Sequence, residues 1–266
     1  MRRGMLQFDD INLRYVDFGG TGETAFLLHG LCGTADEWTD TAEWLCSTRH
    51  VVAIDQRGHG QSTRRPALVS PQSYVNDAAR IIKRLEVTPA VVIGQSMGGR
   101  VAFALAAQHP SLVKSVVVVE ATPAVDPNNR DYDNISALLN SWPVPFQTRA
   151  AARDFFGGAT LAANSWAESL EAREDGLWPR FDVDIMLKTI EEFNRVDWWP
   201  IWRQVKQPTL ILGGEQSTSV HRNDFLLMMA SAPQASYVSV QGAGHDVHLE
   251  QPAQWRTILS EFLNEP

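Results

Sequence analysis

The chain has 266 residues, 44% of them hydrophobic and 20% charged, with a formal net charge of −8 at pH 7. That apolar content supports a sizeable folded core and excludes a disordered polyelectrolyte, and the negative charge argues against nucleic acid or an anionic membrane as partner. Cys32 and Cys46 belong to no CxxC pattern and read as free thiols rather than a disulfide framework.

Taken in chain order, MRRGMLQFDD lacks the apolar core and small-residue cleavage site of a leader, and no apolar run is long enough for a membrane span. The expectation is a soluble, cytoplasmic protein. INLRYV at 11–16 alternates, with Ile11, Leu13 and Tyr15 on one face, and predicts an exposed early strand. AFLLH (25–29), VVAID (51–55), AVVIG (90–94) and SVVVVE (115–120) are continuous β-branched or apolar runs, as buried parallel strands require. Helices are predicted between them over Ala35–Cys46, Gln72–Leu85 and Met97–Gln108. From 121 to 207 no strand pattern appears, only helix-like pieces and prolines, and six of the nine tryptophans fall there: Trp142, Trp166, Trp178, Trp198, Trp199 and Trp202. This interval predicts a helical cap whose aromatics pack onto the core and in part wall an apolar pocket. Strands at 209–214 and 236–240 and helices over Arg222–Ala230 and Pro252–Phe262 complete the alternation. The expected class is α/β with a mostly parallel sheet.

Gly94-Gln95-Ser96-Met97-Gly98 follows one of these strands and opens a helix. In a GxSxG pattern the serine sits on a tight strand-to-helix turn where side chains two positions either way would collide. Ser96 is therefore a candidate nucleophile, the plainer alternative being a helix cap. A base must take its proton, and of the seven histidines His245 stands in GAGHDVHLEQP, a glycine-rich loop between the last strand and the last helix. His29 and His59 are expected to shape their loops, and His50, His109 and His221 to be surface or packing residues. His245 and His248 could pair on a metal, but no cysteine or second carboxylate cluster accompanies them, so no metal is expected. Asp55 is expected to fix a turn by accepting backbone hydrogen bonds.

LLHGLCGTADEW, IDQRGHGQS, GQSMGG, PTLILGGE and GAGHDVHLEQP occur in this order over essentially the whole chain, which resembles the α/β-hydrolase fold superfamily. The resemblance implies a core of 1–120 and 208–266 with a cap at 121–207, and no cofactor. It also implies an oxyanion hole from the backbone amides of Leu31 and Met97. The triad acid is the departure. The family pattern places an aspartate within G-E-x-D after the strand at 209–214, where this chain has Gly214-Glu215-Gln216-Ser217. Three readings follow: the acid moves to Glu120, as in some haloalkane dehalogenases and zearalenone-type lactonases; Glu215 reaches in; or the site is degraded and serves binding. Asp246 adjoins His245 and is a poor candidate. The expected activity is hydrolysis of a carboxylic ester or lactone of a bulky apolar or aromatic small molecule through an acyl-enzyme. Thioester or carbon–carbon bond hydrolysis and a receptor-like ligand-binding role are the alternatives.

Overall fold

A computed structural model describes residues 1–125 and 130–264, so 126–129 of the expected cap lie outside the described residues. The chain runs β1 (Arg2–Gln7), β2 (Asn12–Gly19), β3 (Thr24–Leu28), a 3-10 turn at Ala35–Trp38, α1 (Thr39–Leu45), β4 (His50–Ile54) and α2 (Pro71–Leu85). It continues through β5 (Ala90–Gln95), α3 (Met97–Gln108), β6 (Val113–Val119), α4 (Arg130–Asn140), α5 (Arg149–Phe155) and α6 (Leu161–Ser169). A hairpin, β7 (Glu171–Arg173) and β8 (Gly176–Trp178), precedes α7 (Val183–Asn194) and α8 (Trp199–Trp202). The last elements are β9 (Thr209–Gly214), α9 (Arg222–Ala230), β10 (Ala235–Val240), α10 (Val247–Glu250) and α11 (Pro252–Asn264).

Eight strands form one sheet in the order β1-β2-β4-β3-β5-β6-β9-β10. β2 is antiparallel to both its neighbours, and every other pair in that sheet is parallel. The apolar runs of β3 and β5 are buried at every position, and β6 at all but Lys114. Helices cover both faces, so these strands have no polar face to show and their sequences do not alternate. One cluster packs Phe26, Val92 and Val118 against Ile82 and Phe103; the other packs Leu27, Ile93 and Val119 against Trp38, Trp255 and Leu259. The apolar stripe of α2 supplies Tyr74, Val75, Ala78, Ile81 and Ile82 to the first cluster, and the helix stops at Glu86, whose φ of 57° is a left-handed cap.

Three expectations need correction. The segment at 11–16 is a strand, but an interior one: Leu13 and Val16 are fully buried, and Arg14 is 3% exposed. β1 covers its outer edge, and Arg14 is tolerated there because it is ion-paired to Asp55 at 3.0 Å and Asp36 at 2.8 Å. The helix predicted from Ala35 begins as a 3-10 turn and becomes α-helical only from Thr39. The interval 121–207 is mainly helical but also carries the β7–β8 hairpin, whose three-residue strands are too short to leave a periodic signal.

The inserted elements between β6 and β9 contact the core at several places, among them an aromatic packing site and an arginine ion-pair cluster. Trp198 and Trp202, both almost fully buried, stand edge-on to Phe103 of α3 at 5.7 and 5.6 Å between ring centroids. Truncating such a buried ring costs about 3–5 kcal/mol. On the other side Arg64 binds Asp182 (2.6 Å), Glu171 (3.0 Å) and the carbonyls of Pro179 and Phe181. Among the described residues no helix is long and apolar enough to cross a membrane.

Candidate active site

The sheet order decides which chain exits meet. β5 and β6 run parallel with Gln95 beside Val119, so Ser96 and Glu120 leave adjacent strands at the same edge. β9 lies next, with Val119 beside Leu212, and β10 follows with Gly214 beside Val240, so the loop carrying His245 emerges two strands further on. Side chains displayed at the carboxyl ends of parallel strands can converge while the sheet stays rigid.

Ser96 has φ 52° and ψ −118°, an uncommon conformation for a non-glycine residue, and its amide bonds Val119 O at 2.8 Å. The flanking glycines are required by space. A Cβ on Gly94 would lie 2.1 Å from Gly98 O, and one on Gly98 would lie 2.3 Å from Leu28 O. The turn thus presses α3 against the ends of β3 and β5, with its N-terminus directed at the serine, where the helix dipole favours negative charge. The amides of Leu31 and Met97 donate to no acceptor among the described residues, so both remain available.

Glu120 also has a positive φ, 50°, and its side chain is completely buried. Its Oε1 accepts from Gly214 N at 2.6 Å, and its Oε2 accepts from Ser217 Oγ at 2.5 Å and faces His245 Nδ1 at 3.2 Å. Burial lowers the His245 pKa, but the Glu120 hydrogen bond and the charges of Asp246, Glu120 and Glu250 outweigh it, and the net shift is upward. With 37% of its side chain exposed, the imidazole is reachable from solvent. Glu215 is not brought to His245: its Oε2 accepts from Gly242 N at 3.1 Å and braces the loop. Ser217, at the position where the resembling family carries its acid, is a donor to Glu120.

The Asp246 carboxylate accepts from Trp166 Nε1 of α6 at 3.0 Å and from Gln95 Nε2 at 3.3 Å. The same Gln95 amide donates to His245 O at 3.1 Å. Burial raises the pKa of Asp246, and burial together with the charge of Asp246 raises that of Glu37 well above the carboxylate range. Trp166 belongs to an aromatic group with Trp142, Phe156 and Phe181, in which the Trp142 and Trp166 rings stand edge to face at 6.1 Å. Sequence reading missed the roles of Gln95, Asp246 and Trp166 because their bonds span up to 151 residues.

Three further histidines take structural places. His29 Nδ1 bonds Gly30 O at 2.7 Å while its Nε2 accepts from Gln56 N, and His59 Nδ1 bonds Arg57 O at 2.8 Å. Burial pushes these two down to about 4 and about 3. His248 is buried and stacked on Trp38. Asp55 accepts from the amides of Ala35 and Gln61, as a turn-fixing residue would. Among the described residues no group of three or more His, Cys, Asp or Glu is placed to hold a metal ion.

A family model described as alpha/beta hydrolase fold matches residues 26–252. The chain is 27% identical over 253 residues to 2-(acetamidomethylene)succinate hydrolase of Mesorhizobium japonicum, covering 92% of this chain and 89% of that protein. It is 29% identical over 246 residues to esterase YbfF of Escherichia coli, covering 90% and 92%. The crystal structure of E-2-(acetamidomethylene)succinate hydrolase superposes with a TM-score of 0.91 at 26% identity, covering 99% of each chain. Both of these relatives are named for hydrolytic activities, one of them as an esterase.

Proposed function

The chain belongs to the α/β-hydrolase fold family, and from that premise we propose that it is a serine hydrolase cleaving a carboxylic ester or lactone of a bulky apolar or aromatic small molecule. The observation that carries this reading is the contact of Glu120 Oε2 with His245 Nδ1, made by a carboxylate with no water-exposed surface. Residues 121–207 are proposed as the cap and 1–120 with 208–266 as the catalytic core.

In this mechanism His245 Nε2 takes the proton of Ser96 Oγ as the oxygen attacks the substrate carbonyl. The carbonyl oxygen becomes an oxyanion held by the Leu31 and Met97 amides. Glu120 keeps the Nδ1–H tautomer in place and stabilises the imidazolium. His245 then passes the proton to the leaving oxygen, and the acyl group stays on Ser96. A water molecule, deprotonated by His245, attacks the acyl-enzyme, and the proton returns to Ser96 as the acid leaves. The upward shift of His245 suits this cycle, since within each half-reaction the imidazole must hold the proton it has taken from Ser96 or water until it passes it on.

The aromatic group around Trp142 and Trp166, adjoining the His245 loop through Asp246, supports an apolar acyl or alcohol portion. The high structural similarity to E-2-(acetamidomethylene)succinate hydrolase supports a second reading, a substrate of the kind that name states. A panel of chromogenic esters, lactones, thioesters and 2-(acetamidomethylene)succinate separates them. Aromatic esters or lactones are expected to turn over with a burst of one acyl group per chain, abolished in Ser96→Ala. Tight binding across the panel without turnover would overturn the enzymatic reading in favour of a receptor.

A further inference from the structure

We propose that Ser217 is a positioning residue for the triad, its hydroxyl holding the Glu120 carboxylate in register with His245. The inference rests on the triad proposed above. Glu120 hangs from a left-handed residue at the end of β6, and the last torsion of a glutamate side chain is broad and weakly self-determined. One oxygen, Oε1, is pinned by Gly214 N. The other must accept from His245 Nδ1, and Ser217 Oγ donates to that same oxygen. The carboxylate is fully buried, so its oxygens are served by these protein donors.

Ser217 is itself oriented. Its amide bonds Gly214 O at 3.2 Å, fixing the turn after β9, and its Oγ accepts from Ser219 N at 3.2 Å. With a lone pair engaged by that amide, the hydroxyl proton is directed at Glu120. The groups facing His245 are Glu120 from β6 and Asp246 and Glu250 from its own segment, with His248 close by and Glu37 reaching Asp246 from the 3-10 turn. Ser217 adds no charge to this set. It changes how much of the Oε2 charge the imidazolium receives and how firmly the carboxylate is held.

The test is the pH profile of kcat and KM in Ser217→Ala, Ser217→Thr, Glu120→Gln and the Ser217→Ala/Glu120→Gln double variant. Ser217→Ala is expected to lower kcat about tenfold with KM little changed, as for loss of one hydrogen bond to a charged group. The acid limb of kcat/KM should move to higher pH, because the unshared carboxylate favours the imidazolium. Ser217→Thr, which keeps the hydroxyl, should restore both. In the Glu120→Gln background Ser217→Ala should have no further effect, since its action passes through Glu120. An unmoved acid limb, or a full additional loss in the double variant, would overturn the inference. Unimpaired Glu120→Gln activity would instead overturn the triad on which it rests.

Discussion

Lowering the pH should destabilise the segment that carries the base, and His248 is where the effect can be isolated. Its ring is 1% exposed, stacked on Trp38 at 4.2 Å and tilted against Trp255 at 6.1 Å. Neither ring nitrogen has a hydrogen-bond partner, and the nearest acid, Glu37 Oε1, is 3.8 Å from Nε2. Burial, with a smaller push from His245, lowers its pKa from 6.5 to about 3. The unfolded chain therefore binds the proton first, so stability is full above pH 6.5 and falls as the pH drops toward 3. At pH 5 the penalty is about 2 kcal/mol, from RT ln(1 + 10^1.5). His248→Phe removes the titration. Its fixed effect combines relief of two unmatched nitrogens against the strain of a slightly larger ring, each about 1–3 kcal/mol and both independent of pH. Urea unfolding at pH 7.5 and pH 5, followed by far-UV circular dichroism, isolates the proton term. The stability of the variant relative to the parent should improve by about 2 kcal/mol between the two conditions. The buried His29 and His59 are present in both proteins and cancel. An unchanged difference would refute the neutral-imidazole argument, and a change of opposite sign would mean that His248 is charged and ion-paired with Glu37.

Glu120→Gln should lower kcat by about 10²–10⁴, as for loss of a triad carboxylate, while Glu215→Gln stays within about threefold of the parent. Steady-state kinetics on one chromogenic ester decides this, and the reverse pattern would transfer the role of acid to Glu215. Trp166→Phe keeps the aromatic packing but deletes the Nε1–H bond to Asp246, so KM for an apolar ester should rise by up to about tenfold with kcat less affected. An unaltered KM would mean that the α6 contact does not support substrate binding.

How much of this was legible follows from the range of each interaction. Runs such as AVVIG and SVVVV stand out because a strand covered on both faces needs apolar residues at every position, a local property. β2 was misread as exposed because Arg14 looks polar in isolation, and its partners Asp36 and Asp55 lie 22 and 41 residues away. β1 is an edge strand with a largely exposed pattern, and only its pairing with β2 makes it a strand. At the site, Ser96 is marked by glycines that the turn demands within two residues. Glu120 is marked by its odd company, a carboxylate closing a run of four valines. Its partners Gly214 and Ser217, 94 and 97 residues later, could not be read from that run. The sequence showed an aspartate missing at 217; it did not show that the serine there bonds the carboxylate at 120.

The parts of the site are further joined by one side chain that carries none of the proposed chemistry. Gln95 precedes the serine, and its Oε1 occupies the space at Gly30, where a Cβ would lie 2.0 Å from it. Its Nε2 holds the carbonyl of His245 and the carboxylate of Asp246, and Asp246 in turn holds Trp166 of the inserted α6. A residue buried to 3% exposure thus spaces the loop that carries the Leu31 amide, the turn that carries Ser96 and the loop that carries His245. The rigid sheet brings these loops to the same edge, but strand pairing ends before the loops begin and does not fix their spacing. Oxyanion donors and a base act over hydrogen-bond distances, and a misplacement of about 1 Å costs on the order of 10²-fold in rate. The bare Gly30 and the glutamine before Ser96 therefore form one spacing device, which Asp246 connects to Trp166 of α6.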